Sequence, residues 1–360
     1  MLNEQHFLLT GGGTLGSVTP LLAIAAELRK RNANVSLSFI GTPNGPERLL
    51  VESQRIPFWQ LAAPKLDRYR WWLWPILPVM FVFSWLRALR LLYVMKPNFV
   101  FAAGGYVGVP VAWAAFFLRI PVWVHQLDVL PGLANKLMAP VARKISVTFE
   151  ETAKHFPKRK TIVVGSMVRQ AIRHGEREVA LQRYGFNVAL PTLLVVGGGT
   201  GAAAINEACA VIWQDLVPYM NVLHLVGRGK MLTVLEQAKP GYVALEFLNE
   251  GMADAYAVAD LVVARAGLGT ISELAALGKP SIIIPIHEPF QEANAKVLEE
   301  RKAAQVIWHL TPQILEQTIL RLLDSPELNV DLSKNIRGLF ALNADERIAH
   351  EVLTLLAPKL

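Results

Sequence analysis

The sequence is poor in cysteine: Cys209 stands alone among 360 residues. A single thiol excludes a disulfide scaffold and any multi-cysteine metal site, and it suits a reducing compartment. Charge is scarce too, at 18% Asp, Glu, Lys and Arg against 52% hydrophobic residues. Disordered chains show the opposite balance, so a packed fold is expected. No Asp-x-Asp pair closes a strand, so nothing asks for a resident metal. Met1-Leu-Asn-Glu4 lacks the basic stretch and apolar core of a signal peptide, and Gly11 to Gly13 soon break the apolar run that follows. A cytosolic protein is the expectation. Low-complexity tracts and RNP-like or other nucleic-acid motifs are also absent.

What is present is unevenly spread. Up to Val164, 19 Lys/Arg stand against 8 Asp/Glu; after it, 17 stand against 21. Seven of the nine Trp precede residue 124. At roughly 100–200 residues per domain, two domains with divided labour are expected. The basic half suits nucleic acid, phosphate groups or an anionic membrane.

Short apolar runs alternate with helical spacing. Strands are predicted at His6–Thr10, Val35–Ile40, Phe99–Ala103, Val122–His125 and Ile145–Phe149. The pattern restarts at Thr192–Val196, with further strands at Val222–Val226, Leu261–Ala264 and Ser281–Pro285. Repeated β-α-β with wholly apolar strands means parallel sheets covered by helices on both faces. The fold class is therefore α/β, with two doubly wound units in tandem and a hinge near Val164–Arg169. Such sheets bind ligands outside the carboxyl ends of their strands. With two facing units, the ligand is expected in the cleft between them.

Two turns look alike: Gly11-Gly-Gly-Thr-Leu-Gly16 and Gly197-Gly-Gly-Thr-Gly-Ala202. Each follows a strand and opens a helix, where N–H groups stabilise phosphate. A dinucleotide site also wants a carboxylate about 20 residues on, at the end of the second strand. Ile40-Gly-Thr-Pro-Asn44 offers none before Glu47, and Val226-Gly-Arg-Gly-Lys230 offers none. Tight strand–helix packing is the plain alternative for the glycines. A phosphate-bearing ligand other than NAD fits best, and an NADP oxidoreductase using Arg228 is the remote alternative.

Several motifs in order carry a resemblance. They are Gly12-Gly-Thr-Leu-Gly-Ser17 with Pro20, Gly104-Gly-Tyr-Val-Gly-Val-Pro110, and His125-Gln-Leu-Asp128 with Pro131-Gly-Leu-Ala-Asn-Lys136. Gly165-Ser-Met-Val-Arg169, Gly197–Ala202, and Phe247-Leu-Asn-Glu-Gly-Met252 with Ala255-Tyr256 follow. Ala264-Arg-Ala-Gly-Leu-Gly-Thr-Ile-Ser-Glu273 and Gln291-Glu-Ala-Asn-Ala295 complete the set. Together they resemble the MurG family, bacterial N-acetylglucosaminyltransferases that turn lipid I into lipid II in peptidoglycan synthesis.

The resemblance implies a GT-B fold, two Rossmann-like domains facing a cleft. The boundaries expected here are 1–163 for the acceptor and membrane-facing domain and 164–340 for the donor domain. A C-terminal helix within 341–360, amphipathic over Ala344–Leu356, would pack back on the first. The donor would be UDP-N-acetylglucosamine, held by Arg169, Gly199, Thr200, Gly201, Leu248, Met252, Glu273 and Gln291. Glu273 matches the family carboxylate that grips the ribose hydroxyls, a task suited to a buried carboxylate accepting two hydroxyl bonds. The plainer readings are a helix-dipole partner for Glu273, an interface ion pair for Arg169, and core packing for Leu248 and Met252.

The acceptor, a polyprenyl-diphosphate-linked sugar, would meet Gly13, Thr14, Gly16, Tyr106 and Asn135. Two positions depart from the family pattern. Ser17 stands where the family usually has His, and Asp128 where it has Asn. Inverting transfer needs a base beside the attacking hydroxyl. Asp128, His125 and Ser17 are the candidates, with a turn cap as the plain reading of Asp128 and a buried strand-end histidine that of His125. No cofactor or metal is implied, since a helix N-terminus can hold the diphosphate. The departures motivate two alternatives: a diverged enzyme acting on another polyprenyl-diphosphate sugar, and an inactive nucleotide-sugar binding homologue.

Residues 71–86 run 16 positions without a charge. As helix they would span about 24 Å, short of a hydrocarbon core of roughly 30 Å. Pro75 and Pro78 are expected to break the first half. Trp71, Trp72, Trp74, Phe81 and Trp85 beside Arg70 and Arg87 suit an anionic bilayer surface. A peripheral protein at the cytoplasmic face of the bacterial inner membrane is the expectation, with no nucleic acid as partner. A buried core helix is the plain alternative.

Overall fold

The computed structural model describes residues 5–13, 15–66, 71–168, 170–197, 202–231, 240–248 and 251–356. Thr14, Arg70, Arg169, Gly199, Thr200 and Gly201 lie outside the described residues. The chain divides into two compact units, Met1–Met167 with Ala341–Leu360, and Val168–Phe340.

The first unit carries a seven-stranded parallel sheet. Its strands are β1 (Gln5–Thr10), β2 (Val35–Gly41), β3 (Phe58–Gln60), β4 (Phe99–Ala102), β5 (Val122–Gln126), β6 (Lys144–Val147) and β7 (Thr161–Val163), in the order β3-β2-β1-β4-β5-β6-β7. The second unit repeats the plan with six strands. These are β8 (Thr192–Val196), β9 (Asn221–Leu225), β10 (Tyr242–Leu245), β11 (Leu261–Ala264), β12 (Ser281–Ile283) and β13 (Gln305–Val306), in the order β10-β9-β8-β11-β12-β13. In both sheets the strand order reverses beside the first strand, between β1 and β4 and between β8 and β11. A doubly wound sheet opens its ligand crevice at that switch point. The two Gly-rich turns follow β1 and β8, so each falls at its own unit's switch point.

Central strands are wholly buried, as in β4, β5, β8, β9 and β11. Helices from both sheet faces cover them, and apolar burial of roughly 25 cal/mol per Å² drives the packing. The first unit extends past the expected boundary at residue 163. Val164 N–H donates to Val147 O at 3.0 Å, and Ser166 N–H to Ala341 O at 2.8 Å. Gly165 has φ +86°, and a Cβ there would collide with the Ala341 backbone, so only glycine fits this crossing. The returning helix Ala344–Leu356 buries Ala344, Ile348, Ala349 and Val352 in the cluster that holds Leu21, Ile24 and Leu28. Burying Ile348 and Val352 contributes about 1.5–3 kcal/mol each.

One expectation fails on geometry. Pro75 lies in a short 3-10 turn, Trp71–Ile76, and Pro78 lies in the first turn of a 19-residue helix, Leu77–Met95. Neither breaks that helix, because a first-turn proline lacks only an N–H that would be unpaired anyway. The helical stretch Trp74–Met95 has 22 residues and is long and apolar enough to cross a membrane by length and composition. Its face of Ser84, Ala88 and Leu92 is buried against the first unit, with Phe81, Trp85 and Leu89 half-buried beside it.

Candidate functional site

In the first unit the candidate residues gather at the carboxyl ends of β1, β4 and β5. The turns after β1 and β4 approach so closely that a Cβ on Gly105 (φ +81°) would lie 2.6 Å from Gly12 O. A Cβ on Gly13 would lie 3.1 Å from the Tyr106 ring. Glu47, wholly buried, reaches into this turn. Its carboxylate accepts from Thr42 N–H at 2.8 Å, from the Thr42 hydroxyl, and from Gly13 N–H at 3.4 Å. The Gly13 N–H expected to face an acceptor diphosphate is thus already held by the protein's own carboxylate, a buried acceptor that needs such donors. Burial first, and the Glu47 charge second, push the Tyr106 phenol above its ordinary value. Tyr106 therefore presents a neutral hydroxyl at physiological pH.

Ser17 is buried, and its Oγ accepts from Gly12 N–H at 3.2 Å. It ties down the turn in which Gly16 is exposed. His125 is 2% exposed. Trp123 Nε1–H donates to Ser146 Oγ at 2.8 Å, and His125 Nδ1 lies 2.9 Å from the same oxygen. Ser146 Oγ thus links the indole of Trp123 and the imidazole of His125. Burial pushes the His125 pKa down to about 4. The ring is therefore neutral at physiological pH.

Asn135, 3% exposed, donates through Nδ2 to His125 O at 3.1 Å and to Gln126 Oε1 at 2.6 Å. Gln126 Nε2–H donates in turn to Asp128 O and Leu130 O. Every partner of the Asn135 amide nitrogen is an acceptor, so its orientation is fixed. Asn135 Oδ1 is buried without a protein partner, 3.8 Å from where a Cβ on Gly104 would stand. Asp128 is half-buried in the loop that Gln126 holds.

In the second unit Glu273 is half-buried on helix Leu268–Leu277, and its Oε2 accepts from Tyr256 Oη–H at 3.0 Å. Tyr256 is wholly buried on helix Met252–Val258, one turn beyond Met252. Leu248 and Met252 are both half-buried. Gln291 Oε1 accepts from Ile286 N–H at 3.4 Å, and Asn294 Nδ2 donates to Ala266 O at 3.1 Å. These two amides tie helix Pro289–Glu300 to the exits of β12 and β11. Arg228, on which the NADP alternative rested, lays its guanidinium 4.8 Å over the Phe247 ring.

Sequence reasoning passed over a buried polar chain in this unit. His224 Nε2 lies 3.0 Å from Asn206 Oδ1, and His224 Nδ1 lies 2.7 Å from Tyr242 Oη. Asn206 Nδ2–H donates to Val226 O at 2.9 Å. Asn206 Oδ1 can only accept, so the histidine proton sits on Nε2 and the Tyr242 hydroxyl donates to Nδ1. The chain pins helix Ala203–Leu216 to the end of β9. Alternation of apolar residues could not reveal it, because His224 sits inside an otherwise apolar strand. Among the described residues, no group of three or more His, Cys, Asp or Glu could hold a metal ion.

The first unit also exposes an apolar surface. Trp71 (67%), Trp72, Trp74, Phe83 (70%), Phe116 and Phe117 stand open to solvent, with Arg87, Arg90 and Arg119 among them. Phe81 and Trp85 face inward, and the Trp85 ring meets Phe117 edge-on at 5.0 Å.

Residues 7–147 match the glycosyltransferase family 28 N-terminal domain, and residues 192–352 match its C-terminal domain. Curated relatives carry one shared name, UDP-N-acetylglucosamine--N-acetylmuramyl-(pentapeptide) pyrophosphoryl-undecaprenol N-acetylglucosamine transferase. The relative from Lachnospira eligens is 40% identical over 282 residues, 78% of this chain and 79% of its own. That from Lachnoclostridium phytofermentans is 36% identical over 92% of this chain and 94% of its own. The chain belongs to the MurG family. The crystal structure of Acinetobacter baumannii MurG matches it with a TM-score of 0.78 and 27% identity, covering 97% of this chain and 99% of that one. Both units are thus the Rossmann-like domains of a GT-B glycosyltransferase. Membership leaves the oxidoreductase reading without support.

Proposed function

We propose that the protein transfers N-acetylglucosamine from UDP-N-acetylglucosamine to a lipid-linked muramyl-peptide diphosphate, converting lipid I to lipid II. One observation carries this reading: MurG-named relatives, 36–40% identical, align over most of the chain. In the second unit Glu273 grips the ribose, Leu248 and Met252 flank the uracil, and Gln291 contacts the sugar. Arg169, Gly199, Thr200 and Gly201 serve the diphosphate.

In the first unit the acceptor meets Gly13, Thr14, Gly16, Tyr106 and Asn135. The acceptor hydroxyl attacks the anomeric carbon, the bond from that carbon to the β-phosphate oxygen breaks, and its electron pair leaves with UDP. Asp128 takes the hydroxyl proton. His125 is neutral, buried and tied through Nδ1 to Ser146, and Ser17 Oγ holds Gly12 N–H, which favours the half-buried Asp128 carboxylate as the base. The reaction needs no metal or cofactor, and no nucleic acid takes part.

The exposed aromatic and Arg-flanked surface docks on the anionic cytoplasmic face of the inner membrane, where such residues are favoured. The test is turnover with labelled UDP-N-acetylglucosamine and lipid I in phosphatidylglycerol vesicles. Labelled lipid II with release of UDP is the expected result. Donor binding without transfer to lipid I, or transfer only to a different polyprenyl-diphosphate sugar, would overturn the reading.

A further inference from the structure

Asp128 stands on a loop, and buried side chains hold that loop by its carbonyls. β5 ends at Gln126, and the loop runs on to Gly132, where helix Leu133–Met138 begins. Three successive carbonyls in it accept from side chains. Gln126 Nε2–H donates to Asp128 O at 2.9 Å and to Leu130 O at 3.0 Å. Between them, the Thr152 hydroxyl donates to Val129 O at 2.9 Å. Gln126 and Thr152 are both buried. Gln126 is itself fixed from two sides. Its backbone O accepts from Thr148 N–H at 3.1 Å, and its Oε1 accepts from Asn135 Nδ2–H at 2.6 Å.

At this length only a glutamine can make all three side-chain bonds. Its amide brings two N–H donors and one acceptor oxygen, and each is used. A glutamate would keep the acceptor for Asn135 but turn an oxygen toward Asp128 O and Leu130 O. A methionine would offer neither donor nor acceptor. One planar group bonded to carbonyls two residues apart fixes the path of the backbone between them. Asp128 is at one end of that path. A base must stand within hydrogen-bond reach of the proton it takes, and small displacements of reacting groups are costly in rate.

We infer that Gln126 is a positioning residue for the transfer: its amide holds the Asp128 backbone so that the carboxylate meets the acceptor hydroxyl. The inference rests on the reading of Asp128 as the base. Gln126 touches no reacting atom and acts through Asp128 alone, so it governs the rate of the chemical step and leaves donor binding untouched. Its second task, accepting from Asn135, belongs to acceptor binding and is separable, because glutamate keeps that acceptor and methionine does not.

The test places Gln126→Glu and Gln126→Met in the parent chain and in Asp128→Asn, and measures turnover with lipid I, UDP affinity by calorimetry and thermal unfolding of each. Gln126→Glu is expected to lower kcat about 10–100-fold, the scale on which misplacing a reacting group acts, with acceptor KM and UDP affinity near the parent values. Gln126→Met should lower kcat alike and also raise the acceptor KM, since Asn135 then loses a partner. In Asp128→Asn, Gln126→Glu should cost no more than about 2-fold further, because the group it positions is gone. The full loss repeated on top of Asp128→Asn would mean that Gln126 acts independently and would overturn the inference. So would a parent kcat in Gln126→Glu, or a fall in kcat no larger than the fraction of protein lost to unfolding. Parent turnover in Asp128→Asn would overturn the base reading and this inference with it, a result distinct from the others.

Discussion

The two units share a plan and differ in how their Gly-rich turns meet charge. In the first, Glu47 folds into the turn and takes the Gly13 N–H, and the residue after β4 is Ala103, buried and apolar. In the second, the segment after β9 runs Val226-Gly-Arg-Gly-Lys230 without an acid, and the residue after β11 is Arg265. The same topology thus places a buried carboxylate at the first unit's turn and an arginine at the exit of β11 in the second. Helix N-termini favour negative charge in both. The fold supplies the preference, and a few side chains decide whether protein or ligand satisfies it.

The comparison breaks first at the chemistry. If the first unit supplies the base and the second only holds the donor, Asp128→Asn should lower turnover about 10²–10⁴-fold and leave UDP affinity unchanged. Turnover at the parent rate would remove Asp128 from the mechanism. Next in size is Glu273→Ala, which should weaken UDP binding by roughly 2–4 kcal/mol through two lost hydroxyl bonds to a charged group. Calorimetry that shows unchanged UDP affinity would detach Glu273 from the ribose.

Glu47→Gln sharpens the contrast directly. An amide cannot accept from Thr42 N–H, the Thr42 hydroxyl and Gly13 N–H together, and its own NH2 meets those donors. The first unit should lose about 1–3 kcal/mol of stability in urea unfolding, and the acceptor KM should rise. UDP affinity should stay constant. A parallel loss of UDP affinity would show that the two turns are not independent.

Much of the fold was legible because buried parallel strands are continuous apolar runs. All nine strands read from the sequence are present, and helix Ala344–Leu356 matches to the residue. The four unread strands, β3, β7, β10 and β13, are the four sheet edges. An edge strand pairs on one side only and is partly exposed, so Phe58–Gln60 or Gln305–Val306 leaves no apolar run to detect. Motifs singled out Glu273, which stands on helix Leu268–Leu277 and accepts from Tyr256. Contacts between residues distant in sequence were not legible. Glu47 looked too far past β2 to matter, and only the turn at Gly45 brings it back to Gly13. Arg265 lay inside a quoted motif, but the burial of its Nε without a hydrogen-bond partner is a property of the folded unit.

The smallest expected effect concerns the outer surface of the first unit, which the second unit lacks as a feature of its sequence: Trp213 and Trp308 are its only tryptophans. Helix Leu77–Met95 buries Ser84, Ala88 and Leu92 and exposes Val79, Met80 and Phe83 on the other side. A helix with one face in the protein core and one apolar face flanked by arginines suits the bilayer surface. Crossing would instead require the Ser84, Ala88 and Leu92 face to leave its packing on the core. Each arginine near an anionic surface contributes about 1 kcal/mol, and salt screens that part. Arg87→Gln with Arg90→Gln should therefore weaken binding to phosphatidylglycerol vesicles by roughly 2 kcal/mol at low salt and by less at high salt. Binding through Trp72 and Phe83 should persist, since apolar burial is not screened. If the parent protein is extractable only with detergent and the segment 71–95 resists protease, the helix spans the bilayer and the surface-docking reading is wrong.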